Sequence, residues 1–69
     1  MERIAVTSKN IRAVGYEAET STLEVEFNYG SVYQYHSVPQ EVYDSFMQAD
    51  SKGTFLNTNI KGRYGFTKL

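Results

Sequence analysis

Cysteine is absent from the 69 residues, which excludes disulfide frameworks and thiolate metal sites and gives no sign of an oxidising compartment. Histidine occurs once, at His36. With no recognisable nucleophile motif in the chain, that leaves little for triad chemistry, and a metal site would need further ligands. Long apolar runs are also missing. The stretch Met1-Glu2-Arg3-Ile4-Ala5-Val6-Thr7-Ser8-Lys9 holds three consecutive apolar residues before polar ones resume, far short of a signal-peptide core or a membrane span. A soluble cytoplasmic protein, with no membrane contact, is the expectation.

Two long segments of the chain each lack charge of one sign. From Ala13 to Asp50 there is no lysine or arginine, and the charges are Glu17, Glu19, Glu24, Glu26, Glu41, Asp44 and Asp50. From Ser51 onward there is no acid, and the charges are Lys52, Lys61, Arg63 and Lys68. The formal net charge is -1, yet such an asymmetry can make one face attract anions. The simpler alternative is that the two segments neutralise each other across the fold. What is present is globular: 41% hydrophobic and 14% aromatic residues, with one proline, unlike a disordered segment. At this length the chain is one domain, residues 1–69, or a fragment of one, with a core small enough that self-association would help it.

Residues 1–10 read as a polar lead-in, where Thr7, Ser8 and Asn10 offer side-chain caps for a turn. Ile11 to Tyr16 reads as a short strand, with Val14 and Tyr16 on one face and Arg12 aligned with them nearer solvent. Gly15 within it marks a bulge or a close backbone approach. After a polar connection, Glu17 to Thr22, the alternation of Leu23, Val25 and Phe27 with Glu24, Glu26 and Asn28 predicts a half-buried antiparallel strand. A three-residue loop of Asn28, Tyr29 and Gly30 supplies what a type I turn followed by a left-handed residue needs. It pairs Phe27 with Ser31, Val25 with Tyr33 and Leu23 with Tyr35, placing both tyrosines on the apolar face.

Val38-Pro39-Gln40-Glu41 predicts a helix start, with Pro39 at the first helical position and an acid in the first turn. The helix should run to about Ala49 and present Val42, Phe46 and Ala49, widened by Tyr43 and Met47, with Asp44 and Gln48 in water. Ser51-Lys52-Gly53 breaks it, and Ser51 can cap a shorter helix from Thr54 to Ile60. Lys61-Gly62-Arg63 ends that helix. Tyr64 to Leu69 alternates large and polar residues and reads as an edge strand or an aromatic tail. The expected fold is α+β, a three-stranded antiparallel β-meander packed against one or two C-terminal helices, with a short C-terminal aromatic or edge segment.

In this order and spacing the features resemble the KTSC domain, a small family named for its occurrence at the C-terminus of some lysyl-tRNA synthetases. The resemblance is carried by Ser8 with Ile11, Val14-Gly15-Tyr16, Leu23-x-Val25-x-Phe27, Gly30-x-x-Tyr33-x-Tyr35, Val38-Pro39, Val42-Tyr43, Ala49-x-Ser51-Lys52-Gly53, Asn57-x-x-Ile60 and Arg63-Tyr64. It spans nearly the whole chain. His36 departs from it, since phenylalanine or tyrosine is usual there. Family members also occur as small stand-alone proteins of bacteria and phages, and the resemblance implies that kind of origin together with RNA binding.

Two sets of residues are candidates for chemistry. Tyr33, Tyr35, Tyr64 and Phe66 offer ring faces, and Lys52, Lys61, Arg63 and Lys68 offer phosphate partners, a combination that single-strand binders use. For Tyr33 and Tyr35, packing under the helix is the preferred alternative. Ser51-Lys52-Gly53-Thr54 is a second candidate, where backbone N–H groups can approach a phosphate, with Asn57 and Arg63 as neighbours. It is not a P-loop, and an ordinary serine-capped helix break explains it more simply. Glu24 and Glu26 share a strand face, but alternating exposed glutamates are commonly solvation, and His36 is read as a partly exposed strand residue near them.

The expected function is therefore a non-catalytic binding module without cofactor or metal. Its first candidate ligand is nucleic acid, RNA in particular, held by Ser51, Lys52, Gly53, Asn57, Lys61, Arg63 and Tyr64. Two alternatives are a small-nucleotide binder using the Ser51-Lys52-Gly53 turn and a protein-interaction or self-associating module using an edge strand.

Overall fold

The alternating run from Thr22 to Phe27 forms the middle of an antiparallel sheet. In the computed structural model, which describes residues 2–69, five strands succeed one another in sheet order: β1 (Ile4–Ala5), β2 (Ile11–Glu17), β3 (Thr22–Phe27), β4 (Val32–Tyr35) and β5 (Phe66–Lys68). Between β4 and β5 the chain forms α1 (Gln40–Gln48) and α2 (Lys52–Phe55), and α2 continues without a break into a π-helical turn, Leu56–Ile60. The expected meander is thus extended by one strand on each edge. The helices are an insertion before the last strand.

The expected register of the β3–β4 hairpin is the one observed. Leu23 pairs with Tyr35 and Val25 with Tyr33, and the Phe27 N–H donates to the Ser31 carbonyl. Gly30 closes the loop with φ 101°, a conformation that costs a side-chain-bearing residue strain.

In β2 the bulge falls at Arg12, not at Gly15. Ile11 pairs with Phe27 and Ala13 with Glu26, leaving Arg12 as the extra residue, while Gly15 pairs regularly with Glu24. A bulge shifts the inward and outward alternation by one. Ile11 and Val14 are consequently both fully buried, and Arg12 parts from the Val14–Tyr16 face to stand exposed.

The N-terminal segment departs from a polar lead-in. Ile4 and Ala5 pair with Val14 and Ala13 as an edge strand, and Met1 lies outside the described residues. Ser8 caps the following turn as expected, its hydroxyl accepting from the N–H groups of Asn10 and Ile11 at 3.3 Å.

α1 begins one residue later than expected, with Pro39 as the cap residue and Glu41 in the first turn. Phe46 is fully buried, and Val42, Tyr43 and Met47 pack around it on the sheet. Tyr43 stacks on Tyr16 at 4.6 Å, and the Tyr16 hydroxyl donates to the Val38 carbonyl. Ser51 caps α2 by accepting from the Thr54 N–H. In the π turn the Lys61 N–H reaches back five residues to the Leu56 carbonyl, where an unbroken α-helix was expected. Leu56 and Ile60 both enter the core from it, which also takes Ile11, Val14, Leu23, Val25, Tyr35, Val38 and Phe46.

Candidate functional site

The two faces of the sheet differ in kind. On the face away from the helices, Arg3 on the β1 side is ion-paired with Glu24 and reaches Glu26 at 3.3 Å, while Arg12 lies 3.8 Å from the other Glu26 oxygen. Continuing the β1–β2 register, Arg3 stands opposite Gly15, so its side chain crosses β2 where no side chain obstructs it. Gln34 on β4 completes the network by donating to Glu24 at 2.9 Å.

Glu24 is 5% exposed, so it is a buried, fully partnered carboxylate and not surface solvation. Burial pushes its pKa up, but the hydrogen bonds from Gln34 and Arg3 and the charge of Arg3 outweigh burial and hold it below the ordinary carboxylate value. Among the described residues these are the ion pairs of the protein. Glu24 and Glu26 are therefore satisfied by the N-terminal arginines and do not neutralise the lysines after Ser51. His36 follows β4, is exposed, and shares a 2.9 Å hydrogen bond with Thr67 on β5.

On the helix face, two adjoining depressions open beside α2. The first, about 740 Å³, lies between the β1–β2 loop, Thr7 to Asn10, and the segment Asp50 to Thr54 with Asn57. The second, about 290 Å³, is lined by the rings of Phe27, Tyr29, Tyr33, Tyr35 and Phe66 with Lys61 on its rim. Asn10, Gly53 and Asn57 belong to both and form the ridge between them. Asn28 positions this ridge: its amide donates to the Lys9 carbonyl at 2.6 Å, and its N–H donates to the Asn10 carbonyl at 2.8 Å. A methyl group at Gly53 would meet the Asn10 amide at 3.4 Å, ordinary contact, whereas a larger side chain would fill the gap.

The rings form a continuous row. Phe27 stacks on Tyr29 at 5.3 Å and meets Tyr33 edge-on at 5.5 Å, and Tyr33 lies 5.5 Å from Phe66. Tyr29 and Phe66 are 71% and 58% exposed, so the row ends in two uncovered rings. Tyr35 behaves differently. It is 2% exposed, and burial, with the neighbouring Tyr33 and Tyr29 hydroxyls, pushes its own hydroxyl pKa up.

The residues proposed from sequence are only partly brought together. Ser51, Lys52, Gly53 and Asn57 line the larger depression, and Gly53, Asn57, Lys61, Tyr33 and Tyr35 line the aromatic one. The Ser51 hydroxyl is engaged in capping, donating to Thr54 Oγ1 and accepting from its N–H. Lys52 donates to the Ala49 carbonyl at 3.3 Å, and Lys68 pairs with Tyr33 across β4–β5. Arg63 and Tyr64, expected as neighbours, line a separate depression against Glu41, Val42, Ser45, Phe55 and Asn59 of the helical side. Lys9, Asn10 and Tyr29 were not expected at the site. In a meander the first and third connections fall at the same end of the sheet, so recognising β1 would have placed Lys9 and Asn10 beside Tyr29. Among the described residues no group of three His, Asp or Glu side chains could hold a metal ion, and no helix is long and apolar enough to cross a membrane.

A small antiparallel α+β domain with one charged, internally neutralised face and one aromatic, basic groove defines the class, and the KTSC domain family matches residues 7–64. The chain belongs to that family. It is similar to an uncharacterised protein of Stutzerimonas stutzeri, 41% identical over 64 residues that cover 93% of this chain and 90% of that protein. It is also similar to a lysine–tRNA ligase of Nostoc punctiforme, 44% identical over 59 residues, 86% of this chain but 10% of the ligase. The crystal structure of a KTSC domain protein from Yersinia pestis matches with a TM-score of 0.93 at 38% identity, covering 99% of this chain and 96% of that one.

Proposed function

We propose that this domain is a non-catalytic module that binds single-stranded RNA in the groove between the β3–β4 hairpin and α2. The observation that carries the reading is the join between an aromatic row with uncovered ends and a basic groove, on the side of the sheet opposite the neutralised glutamates. Across the two depressions the charged lining residues are Lys9, Lys52 and Lys61 against Asp50. Lysines beside ring faces are what a sequence-tolerant strand binder needs: charge for the phosphates and surfaces on which bases stack. The similarity to a segment of lysine–tRNA ligases, whose name gives tRNA as substrate, supports RNA over other polyanions.

With few lysines the affinity is modest and falls with salt, each lost phosphate contact removing about 0.7 from the logarithmic salt slope on a single strand. Fluorescence anisotropy with a labelled mixed-sequence RNA at low salt tests this. Binding that weakens as salt rises, with a shallower slope for Lys61→Gln, is expected, and no binding at low salt sinks the proposal. A free small nucleotide in the groove is the competing ligand, and a nucleotide that raises the unfolding temperature while RNA does nothing would replace RNA with it. Self-association is favoured by a separate observation, the unpaired outer edge of β5 with Leu69 63% exposed beyond it. Sedimentation across a concentration series tests it, and a concentration-independent monomer removes it.

A further inference from the structure

We infer, on the basis of the RNA-binding reading, that the hydroxyl of Tyr35 hydrogen-bonds the nucleotide that enters the aromatic depression, which makes this core residue a binding residue as well. The depression of about 290 Å³ lies at the lower end of the roughly 300–1,000 Å³ range of small-ligand sites, room for a base and part of its sugar. Tyr35 is 2% exposed and lines it. Among the described residues the one tyrosine hydroxyl hydrogen-bonded within the protein is that of Tyr16, which donates to the Val38 carbonyl. No buried side-chain nitrogen or oxygen among them lacks a partner. The unpaired Tyr35 hydroxyl is therefore not sealed in the core, and the small area by which the residue meets solvent includes it.

The ring and the hydroxyl of Tyr35 thus serve different ends. The ring belongs to the core cluster, while the hydroxyl opens on a space bordered by Tyr29, Tyr33 and Phe66, with Lys61 as its one charged group. Burial and the neighbouring Tyr33 and Tyr29 hydroxyls push the Tyr35 pKa up, so the group stays a neutral phenol that can both donate and accept. Such a group serves any base, donating to a ring nitrogen or carbonyl or accepting from an amino group. The contact adds affinity without choosing a sequence, and being uncharged it releases no counterions. A nearly buried hydroxyl without a protein partner contributes little to folding, and it gains its partner on binding.

Tyr35→Phe removes the oxygen and keeps the ring. Anisotropy with the mixed-sequence RNA at low salt should show this variant binding roughly two- to tenfold more weakly, the range for one hydrogen bond, with the salt slope of the parent. Its unfolding temperature should equal or exceed the parent's, because no bond within the protein is lost. Tyr16→Phe is the control with the reverse pattern: its hydroxyl is already engaged, so the unfolding temperature falls while RNA affinity holds. Equal affinity of the parent and Tyr35→Phe would overturn the inference and leave RNA binding standing. So would a weaker affinity accompanied by a lowered unfolding temperature, which would mark the hydroxyl as structural, or by a changed salt slope, which would place the loss at a phosphate. Failure of the parent to bind RNA would overturn both readings.

Discussion

Tyr35 and Tyr33 sit two residues apart on one strand face, yet they do different work. Tyr35 is 2% exposed, against Tyr33 and Phe66, while Tyr33 is half-buried and lines the groove. Tyr35→Ala should cost about 3–5 kcal/mol, the range for truncating a buried aromatic, against a total of about 3–10 kcal/mol for a chain of this length. Denaturant titration should therefore find that variant largely unfolded or close to it. Tyr33→Ala should remain folded and lose RNA affinity. The reverse ranking would mean that the hairpin register is misassigned. Tyr16→Phe should cost about 1 kcal/mol, because it leaves the Val38 carbonyl without its hydroxyl donor. The alternation from Leu23 to Phe27 and the turn residues Asn28 and Gly30 made this register legible in sequence. Which of the two tyrosines is covered depends on where α1 and the π turn pack, and no local pattern reports that.

Glu24 shows where alternation misleads. It reads as an outward, solvated residue, but a two-residue strand and the long side chain of Arg3 cover it. Its folded pKa lies below the ordinary carboxylate value, so the unfolded chain takes up a proton near pH 4.3 before the folded one does. Its stabilisation is present above that pH and is lost as the pH falls through the lowered folded value. Unfolding midpoints measured from pH 6 downward should fall less steeply for Glu24→Gln than for the parent, and identical profiles would show that the carboxylate carries no such linkage.

At the scale of elements, the helices and the three central strands follow from periodicity, a proline start and a serine cap. β1 was not legible, because two residues are too few to show a period. The π turn was not legible either, since Leu56 and Ile60 stand four apart in an α-helix as they do here, and only the Lys61 bond distinguishes the two. If Arg3 is what fastens β1, Arg3→Ala should speed hydrogen exchange at the Val6 amide, which donates to the Arg12 carbonyl, by an order of magnitude or more while the amides of α1 keep their protection. Unchanged exchange at the edge would show that backbone pairing alone holds it. The loss of Lys9 and Asn10 from the sequence-based site has the same origin, since an unrecognised strand left its loop without a position.

Over the whole molecule the charge asymmetry of the sequence becomes a division between two sheet faces. Glu24 and Glu26 are held by Arg3 and Arg12 on one face, while on the other Lys9, Lys52 and Lys61, with Asp50 among them, border a groove ending in uncovered rings. The basic segment was legible as a candidate. Its split into a groove side and an Arg63–Tyr64 side was not, because the helical turn carries Arg63 round to α1. The most direct measurement is an NMR titration of the ¹⁵N-labelled protein with a short single-stranded RNA at low salt. The amides of Asn10, Tyr29, Gly53, Asn57, Lys61 and Phe66 should shift together, and those of Glu24, Gln34 and Thr22 should stay in place. Shifts confined to the glutamate face, or none at saturating RNA, would contradict the account.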